Sequence, residues 1–205
     1  MDSDTGAELS TIWGEAKEHV EKGDYDKAIE IYKYVFIRYG DNNIAVEYAN
    51  AYLADAYLTL RQLKLAENHI KKAIDCRPDN PGYHYLLGFT YSIERQWGKA
   101  IGEFEVAVDK EPNNGEYLRG LGWAIHSAGE KGKRLAYLHR AADLAPANVN
   151  ILTDLAAAYL SDLQFRKARE FAEAAVRIDP DSSVAREVLH NVDRFQGDVG
   201  RLGGA

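Results

Sequence analysis

Four of the five prolines, Pro78, Pro112, Pro146 and Pro180, recur at intervals of 34 residues. Proline cannot continue a helix, so a constant proline interval stops helices at a constant interval. Each of the four lies in a short polar break, "CRPDN", "KEPNN", "LAPAN" or "IDPDS", where an Asn or Asp is placed to cap the next helix. The fifth, Pro81, follows Asn80 and suits a first helical position, where its missing N–H costs nothing. The period therefore predicts an array of identical supersecondary units rather than one irregular core.

Within each period the apolar residues recur at three and four, as in "LTDLAAAY", where Leu152, Leu155, Ala156 and Tyr159 share one helical face. A second helix of the same kind follows a short polar turn, so each period holds a helix pair. Alignment on the residue twelve before each proline gives Ala66, Ala100, Arg134 and Ala168, with Ala28 in the same place in the first repeat. Twelve positions earlier stand Ala16, Ala54, Gly88, Gly122 and Ala156; seven positions later stand Val35, Ala73, Ala107, Ala141 and Ala175. Small residues at these points let two helices approach closely. The space around them is filled by Tyr57, Tyr91 and Tyr159 in the first helices and by Tyr32, Ile70, Phe104 and Leu138 in the second.

A 34-residue helix-turn-helix with this order of residues resembles the tetratricopeptide repeat. The third repeat carries the resemblance most fully, through Leu87, Gly88, Tyr91, Ala100, Phe104, Ala107 and Pro112. The resemblance covers about residues 9–181 and implies an all-α fold: a right-handed α-solenoid of five helix pairs whose inner, concave surface is lined by the first helix of each pair. The expected repeats are about 9–46, 47–80, 81–114, 115–148 and 149–181. Residues 182–195 place Val184, Val188, Val192 and Phe195 on one stripe, with Ser182 or Ser183 able to cap its start, and read as a helix covering the open end of the stack. Residues 1–8 and the glycine-rich 196–205 read as flexible ends.

Two departures stand out. The spacing between the first two repeats is 38, not 34, and the four extra residues fall around "YGDNNIAV", about one helical turn. In the fourth repeat Arg134 occupies the small-residue position. An arginine there must snorkel, shift the helix or pair with an acid, because an unpaired buried charge is costly. It reads as local degeneracy of the repeat, with a second helix packed less well than the others.

Composition narrows the function. The formal charge of −7, without a run of Lys or Arg, offers no footprint for nucleic acid, and no apolar run approaches the roughly 20 residues of a membrane span. The single Cys76 and an opening "MDSDTGAELS" without an apolar signal segment point to a reducing, cytoplasmic setting. The six histidines form no i, i+4 pair with one another or with Cys76, so no metal or other cofactor is expected. "GEKGKR" lacks the glycine and the Ser/Thr of a phosphate loop, and no nucleophile has an evident base, so the chain is not expected to be an enzyme.

The resemblance implies that partners are held on the concave surface, at about the second, fifth, ninth and twelfth positions of each first helix. The fifth positions are Trp13, Ala51, Tyr85, Arg119 and Thr153, and the ninth are Lys17, Asp55, Phe89, Trp123 and Ala157. Tyr48 stands at a second position and His126 at a twelfth. Tyr85, Phe89 and Trp123 are expected to be neighbours and to anchor a partner, with Arg119 beside them to meet a carboxylate or carbonyl. Relatives that grip the acidic tails of heat-shock chaperones use lysines and asparagines at fixed positions, and those residues are missing here. The expected partner is a protein or peptide with an apolar or helical segment, bound by an adaptor or assembly factor. A self-associating scaffold, hence a homo-oligomer, and a regulatory subunit of a larger complex are the alternatives.

Overall fold

A computed structural model describes the backbone of residues 3–202 and the side chains of residues 5–130 and 132–197. Among the described residues every regular element is an α-helix: α1 (Ser3–Glu21), α2 (Tyr25–Tyr39), α3 (Asn43–Thr59), α4 (Leu63–Cys76), α5 (Pro81–Ile93), α6 (Trp97–Lys110), α7 (Gly115–Ser127), α8 (Lys131–Leu144), α9 (Val149–Ser161), α10 (Phe165–Ile178) and α11 (Ser183–Leu202). The fold is all-α, built of successive helix-turn-helix pairs. None of the described helices is long and apolar enough to cross a membrane.

The repeat is written into the backbone as well as the side chains. Gly23, Arg61, Arg95, Gly129 and Leu163 all have φ between 58° and 83°. They lie 38, 34, 34 and 34 residues apart, each in the turn that ends a first helix. After each, the next N–H bonds back to a carbonyl five residues earlier, as from Gln62 to Tyr57, Gln96 to Tyr91, Glu130 to Ile125 and Gln164 to Tyr159. This left-handed helix stop satisfies carbonyls that would otherwise be orphaned, and it turns the chain sharply into the second helix. Glycine adopts it without strain; a Cβ-bearing residue in that region costs roughly 1–2 kcal/mol, which Arg61, Arg95 and Leu163 each bear.

The breaks between repeats obey the same register. Asn42, Asn80, Asn114 and Asn148 accept backbone N–H groups at the starts of α3, α5, α7 and α9, and Ser182 does so for α11. Each cap contributes about 1 kcal/mol and fixes where the next helix begins. The four extra residues of the 38-residue interval lengthen α3, which has 17 residues where α5, α7 and α9 have 13.

The chain divides into two compact units, Met1–Gln96 and Trp97–Ala205. In the first, α2 packs on α1 and α3, and α4 on α3 and α5. In the second, neighbours in sequence from α6 to α11 pack in turn, and α9 also touches α7 and α11. The small residues at the three repeat positions, Ala16, Ala54 and Ala156, Ala28, Ala66, Ala100 and Ala168, and Val35, Ala73, Ala107, Ala141 and Ala175, are all fully buried. Close helix contact is therefore made where alanine replaces bulk, and the larger Tyr32, Ile70, Phe104 and Leu138 fill the flanks.

The helices run further than the expected array. α1 begins at Ser3 rather than near residue 9, and α11 runs to Leu202, past the expected end at 195. No proline interrupts either stretch, and a glycine costs a helix only about 1 kcal/mol, so propagation continues from packed turns. On α11 the buried side holds Ala185 and Val192, whereas Val184 and Phe195 are about half exposed. The expected stripe is thus only partly the packed one.

Candidate functional site

In the first unit Ile44, Tyr48, Tyr52 and Phe89 are exposed on first helices, and Tyr34, Ile37 and Leu65 on second helices; among the described residues, only on the first helices do exposed aromatics line notches. Tyr48 and Tyr52 lie one turn apart on α3, 40% and 43% exposed, with ring centroids 6.4 Å apart. Tyr52 stacks on the buried Tyr32 of α2 at 5.3 Å, and Trp13 of α1 leans against both, 5.4 Å from Tyr52 and 6.0 Å from Tyr32. The three rings, with Gly14, Lys17, Val20, Asp55 and Ala56, line a notch of about 420 Å³ between α1 and α3. The Tyr32 phenol is pushed up to about 12, first by burial and then by Tyr52 and Asp55. Burial also raises the Asp55 carboxyl above its ordinary range.

A second notch of about 310 Å³ continues along the same two helices, lined by Leu9, Trp13, Ile44, Ala45 and Tyr48 among others. A third, of about 400 Å³, lies between α3 and α5, where Phe89, 44% exposed, meets Asp55, Leu58, Arg61, Leu86 and Ile93. Tyr85, one turn before Phe89 on α5, is half-buried.

The expected anchors divide between the two units, Tyr85 and Phe89 in the first, Arg119, Trp123 and His126 in the second. Trp123 is half-buried and meets Trp97 of α6 edge to face, centroids 5.3 Å apart. The Arg119 guanidinium already serves the chain itself: Nε donates to Glu116 at 2.9 Å and Nη1 to Asp154 at 3.0 Å. It ties α7 to α9 in a setting dry enough to push the Asp154 carboxyl up to about 6, burial outweighing the attraction of Arg119. The His126 imidazole is held below its ordinary value, first by burial and then by Arg134, against the opposing pull of Asp162.

Arg134 resolves the oddity of the fourth repeat. Its side chain is 1% exposed and its Nη2 forms an ion pair with Asp162 at 2.5 Å, in the turn after α9. Of the three options the sequence left open, pairing with an acid is the one adopted. The expectation of a loosely packed second helix does not hold. A Cβ placed on Gly122 of α7 would lie 2.9 Å from Leu138 Cγ and 3.2 Å from the Arg134 carbonyl, so α8 presses closely on α7.

Positional reading of the repeat missed Tyr52 and Tyr32. Tyr52 is a sixth position, outside the four read for each first helix, and Tyr32 was assigned to packing alone. The i, i+4 pair Tyr48 and Tyr52 is the signal in the sequence that would have exposed the aromatic face.

Comparison with known proteins bears on what this face belongs to. Residues 19–88 match the family model of the tetratricopeptide repeat (TPR). MamA of Desulfovibrio magneticus RS-1 superposes with a TM-score of 0.71 at 15% identity, over 85% of this chain and 97% of that one. A thermophilic TPR protein of Thermus thermophilus gives a TM-score of 0.71 at 18% identity, over 90% and 98%. YrrB, described as a TPR protein with an unusual peptide-binding site, gives 0.64 at 19%, over 84% and 87%. No curated protein matches the chain by sequence.

Proposed function

We propose, from the match of residues 19–88 to the tetratricopeptide repeat and the fold shared with proteins of that family, that this chain is a non-enzymatic adaptor or assembly factor that holds a peptide or helix of a partner protein on the aromatic face of its first helices. A TPR fold is a scaffold for protein–protein interaction; the finer reading rests on one observation. Trp13, Tyr48 and Tyr52 line two continuous notches between α1 and α3, with Tyr48 and Tyr52 about two-fifths exposed. Large aromatics left in water are the groups a partner gains most by covering, at about 25 cal/mol per Å² of apolar area. Tyr85 and Phe89 extend this face on α5; within the second unit Trp123 and His126 stand at the equivalent repeat positions of α7, and Arg119 ties α7 to α9. That a protein of the same fold, YrrB, has a peptide-binding site supports a peptide as the ligand class. We read residues 9–181 as the five repeats and α11 as their cover, in a cytoplasmic protein without a cofactor.

Affinity capture from native extract tests this reading. Trp13→Ala/Tyr52→Ala and Phe89→Ala/Trp123→Ala variants are expected to lose partners that wild type retains, with helical content unchanged by circular dichroism. Equal recovery by wild type and both variants would remove the aromatic face from the account. Loss of a concentration-dependent dimer in light scattering, with no other partner lost, would instead make the face a self-association surface.

A further inference from the structure

We propose that the notch between α1 and α3 receives an arginine side chain of the bound segment, its guanidinium pairing with Asp55 and lying over the ring of Tyr52. This rests on the reading of that face as the partner site and assigns the chemistry of one of its subsites.

The notch combines two features that call for different ligands unless one group meets both. Its walls are aromatic, from Trp13, Tyr32 and Tyr52, with centroids 5.3–6.0 Å apart. Its rim carries the Asp55 carboxylate, which makes no hydrogen bond or ion pair with any described residue. Lys17 also lines the notch, but its ion pair is with Glu21, at 3.7 Å, and not with Asp55. An exposed carboxylate without a protein partner takes its hydrogen bonds from water. A partner that fills the notch displaces that water and must replace what it gave.

An aliphatic or aromatic partner side chain would cover the rings and strand the carboxylate, and a buried unpaired charge costs more than the covered area returns. An anionic side chain would be repelled. A cation satisfies the carboxylate and is also attracted to the faces of the rings. Of the two biological side-chain cations, the planar guanidinium can lie flat on a ring while its edge bonds a carboxylate through two N–H groups; an ammonium is a point charge that can do one or the other well. A formal charge of −7 favours a basic partner at longer range.

The experiment is an NMR titration of the full chain with acetyl-Ala-Ala-Arg-Ala-Ala-amide, its citrulline counterpart, which is neutral and nearly isosteric, and its lysine counterpart. The arginine peptide is expected to shift the Trp13 indole N–H saturably. The citrulline peptide and the Asp55→Asn variant should each bind at least about tenfold more weakly, and the lysine peptide several-fold more weakly. Asp55 is open to solvent, so Asp55→Asn should fold as wild type does, which its spectrum reports directly. Equal binding of arginine and citrulline, undiminished binding to Asp55→Asn, or no shift at Trp13 would overturn the proposal; equal binding of lysine would overturn the choice of guanidinium. If Asp55→Asn retains all partners in capture while Trp13→Ala/Tyr52→Ala loses them, the cation falls and the aromatic face stands. If both variants retain them, both readings fall.

Discussion

The ion pair between Arg134 and Asp162 offers the sharpest test of how this fold tolerates a charge in its core. Arg134 is almost wholly buried; apart from the ion pair, its Nη2 reaches the Ala158 carbonyl and Ser161 Oγ only at 3.5 Å, and its Nε and Nη1 have no partner among the described residues. Removing Asp162 therefore leaves a dry guanidinium with no anion. Breaking a buried pair from one side costs about 3–5 kcal/mol, and because the Asp162 side chain is 19% exposed, water can reach the gap and the low end applies. Asp162 also sits at the C-terminal end of α9, where the helix dipole disfavours a carboxylate by a few tenths to about 1 kcal/mol. Asp162→Ala should thus destabilise by about 2–3 kcal/mol. For a chain of this size that is roughly 4–12 °C in Tm.

The converse substitution separates charge from packing. Arg134→Met keeps the unbranched stem and removes the charge, so it should be near neutral or stabilising, and the double variant should recover most of what Asp162→Ala loses. Urea denaturation followed by far-UV circular dichroism gives the energies, and amide exchange in α8 and α9 shows whether these helices open separately, as stacked repeats can. Asp162→Ala within about 0.5 kcal/mol of wild type would refute the argument, as would an Arg134→Met loss that simply adds to it.

Three further outcomes follow from the geometry. Gly122→Ala should destabilise by about 1–3 kcal/mol in chemical denaturation despite the better helix propensity of alanine, because its Cβ meets Leu138 Cγ at 2.9 Å. His69, stacked on Tyr57 and bonded through Nδ1 to Asn50 Oδ1, is held down to about 4 by burial and then by Lys72 and Lys33. The unfolded chain therefore takes up the proton first, and stability should fall as pH drops from about 6.5 to 4, by on the order of 2 kcal/mol once the partial exposure of the ring is allowed for. The raised Asp154 acts in the opposite sense near pH 4–6, so the measurement is the difference in acid slope between wild type and His69→Gln, expected to be steeper in wild type. Phe89→Ala, at a side chain 44% exposed, should change Tm by no more than about 1–2 °C while weakening partner capture.

What the sequence made legible is what the repeat imposes. The proline interval located the helix breaks, and the small residues located the helix contacts, because both follow from local stereochemistry repeated at every turn. The partner of Arg134 was not legible for a matching reason. Asp162 lies 28 residues on, just before the left-handed turn residue Leu163, and the corresponding places in other repeats hold Lys22, Leu60, Glu94 and Ala128. Only the stacking of one helix pair on the next brings such a place to the start of the preceding second helix. Lys64 and Glu94 make the same crossing at the surface, at 3.4 Å. One inter-repeat contact serves as a weak solvated bridge in one place and a core ion pair in another, and the burial around it decides which.

The aromatic face departs from the sequence reading for a different reason, which lies in the first helix pair. A fixed grid of groove positions assumes that every first helix has the same length and faces the same way. α1 and α3 break the first assumption, with 19 and 17 residues against the 13 of α5, α7 and α9. The added turn of α3 is not idle: Ile44 and Ala45, which belong to it, line the notch that Leu9, Trp13 and Tyr48 complete. Lengthening both helices extends the wall on either side of that notch, so a segment lying along it would meet Tyr48, Trp13 and Tyr52 in succession before reaching Asp55. The irregular interval in the sequence is thus what enlarges the aromatic face in the structure. Deleting residues 43–46 would restore the 34-residue interval. If the face works as proposed, that deletion should leave helix pairing intact, as read by circular dichroism, while abolishing the smaller notch and weakening partner capture; capture at wild-type strength would show that the added turn contributes nothing to binding.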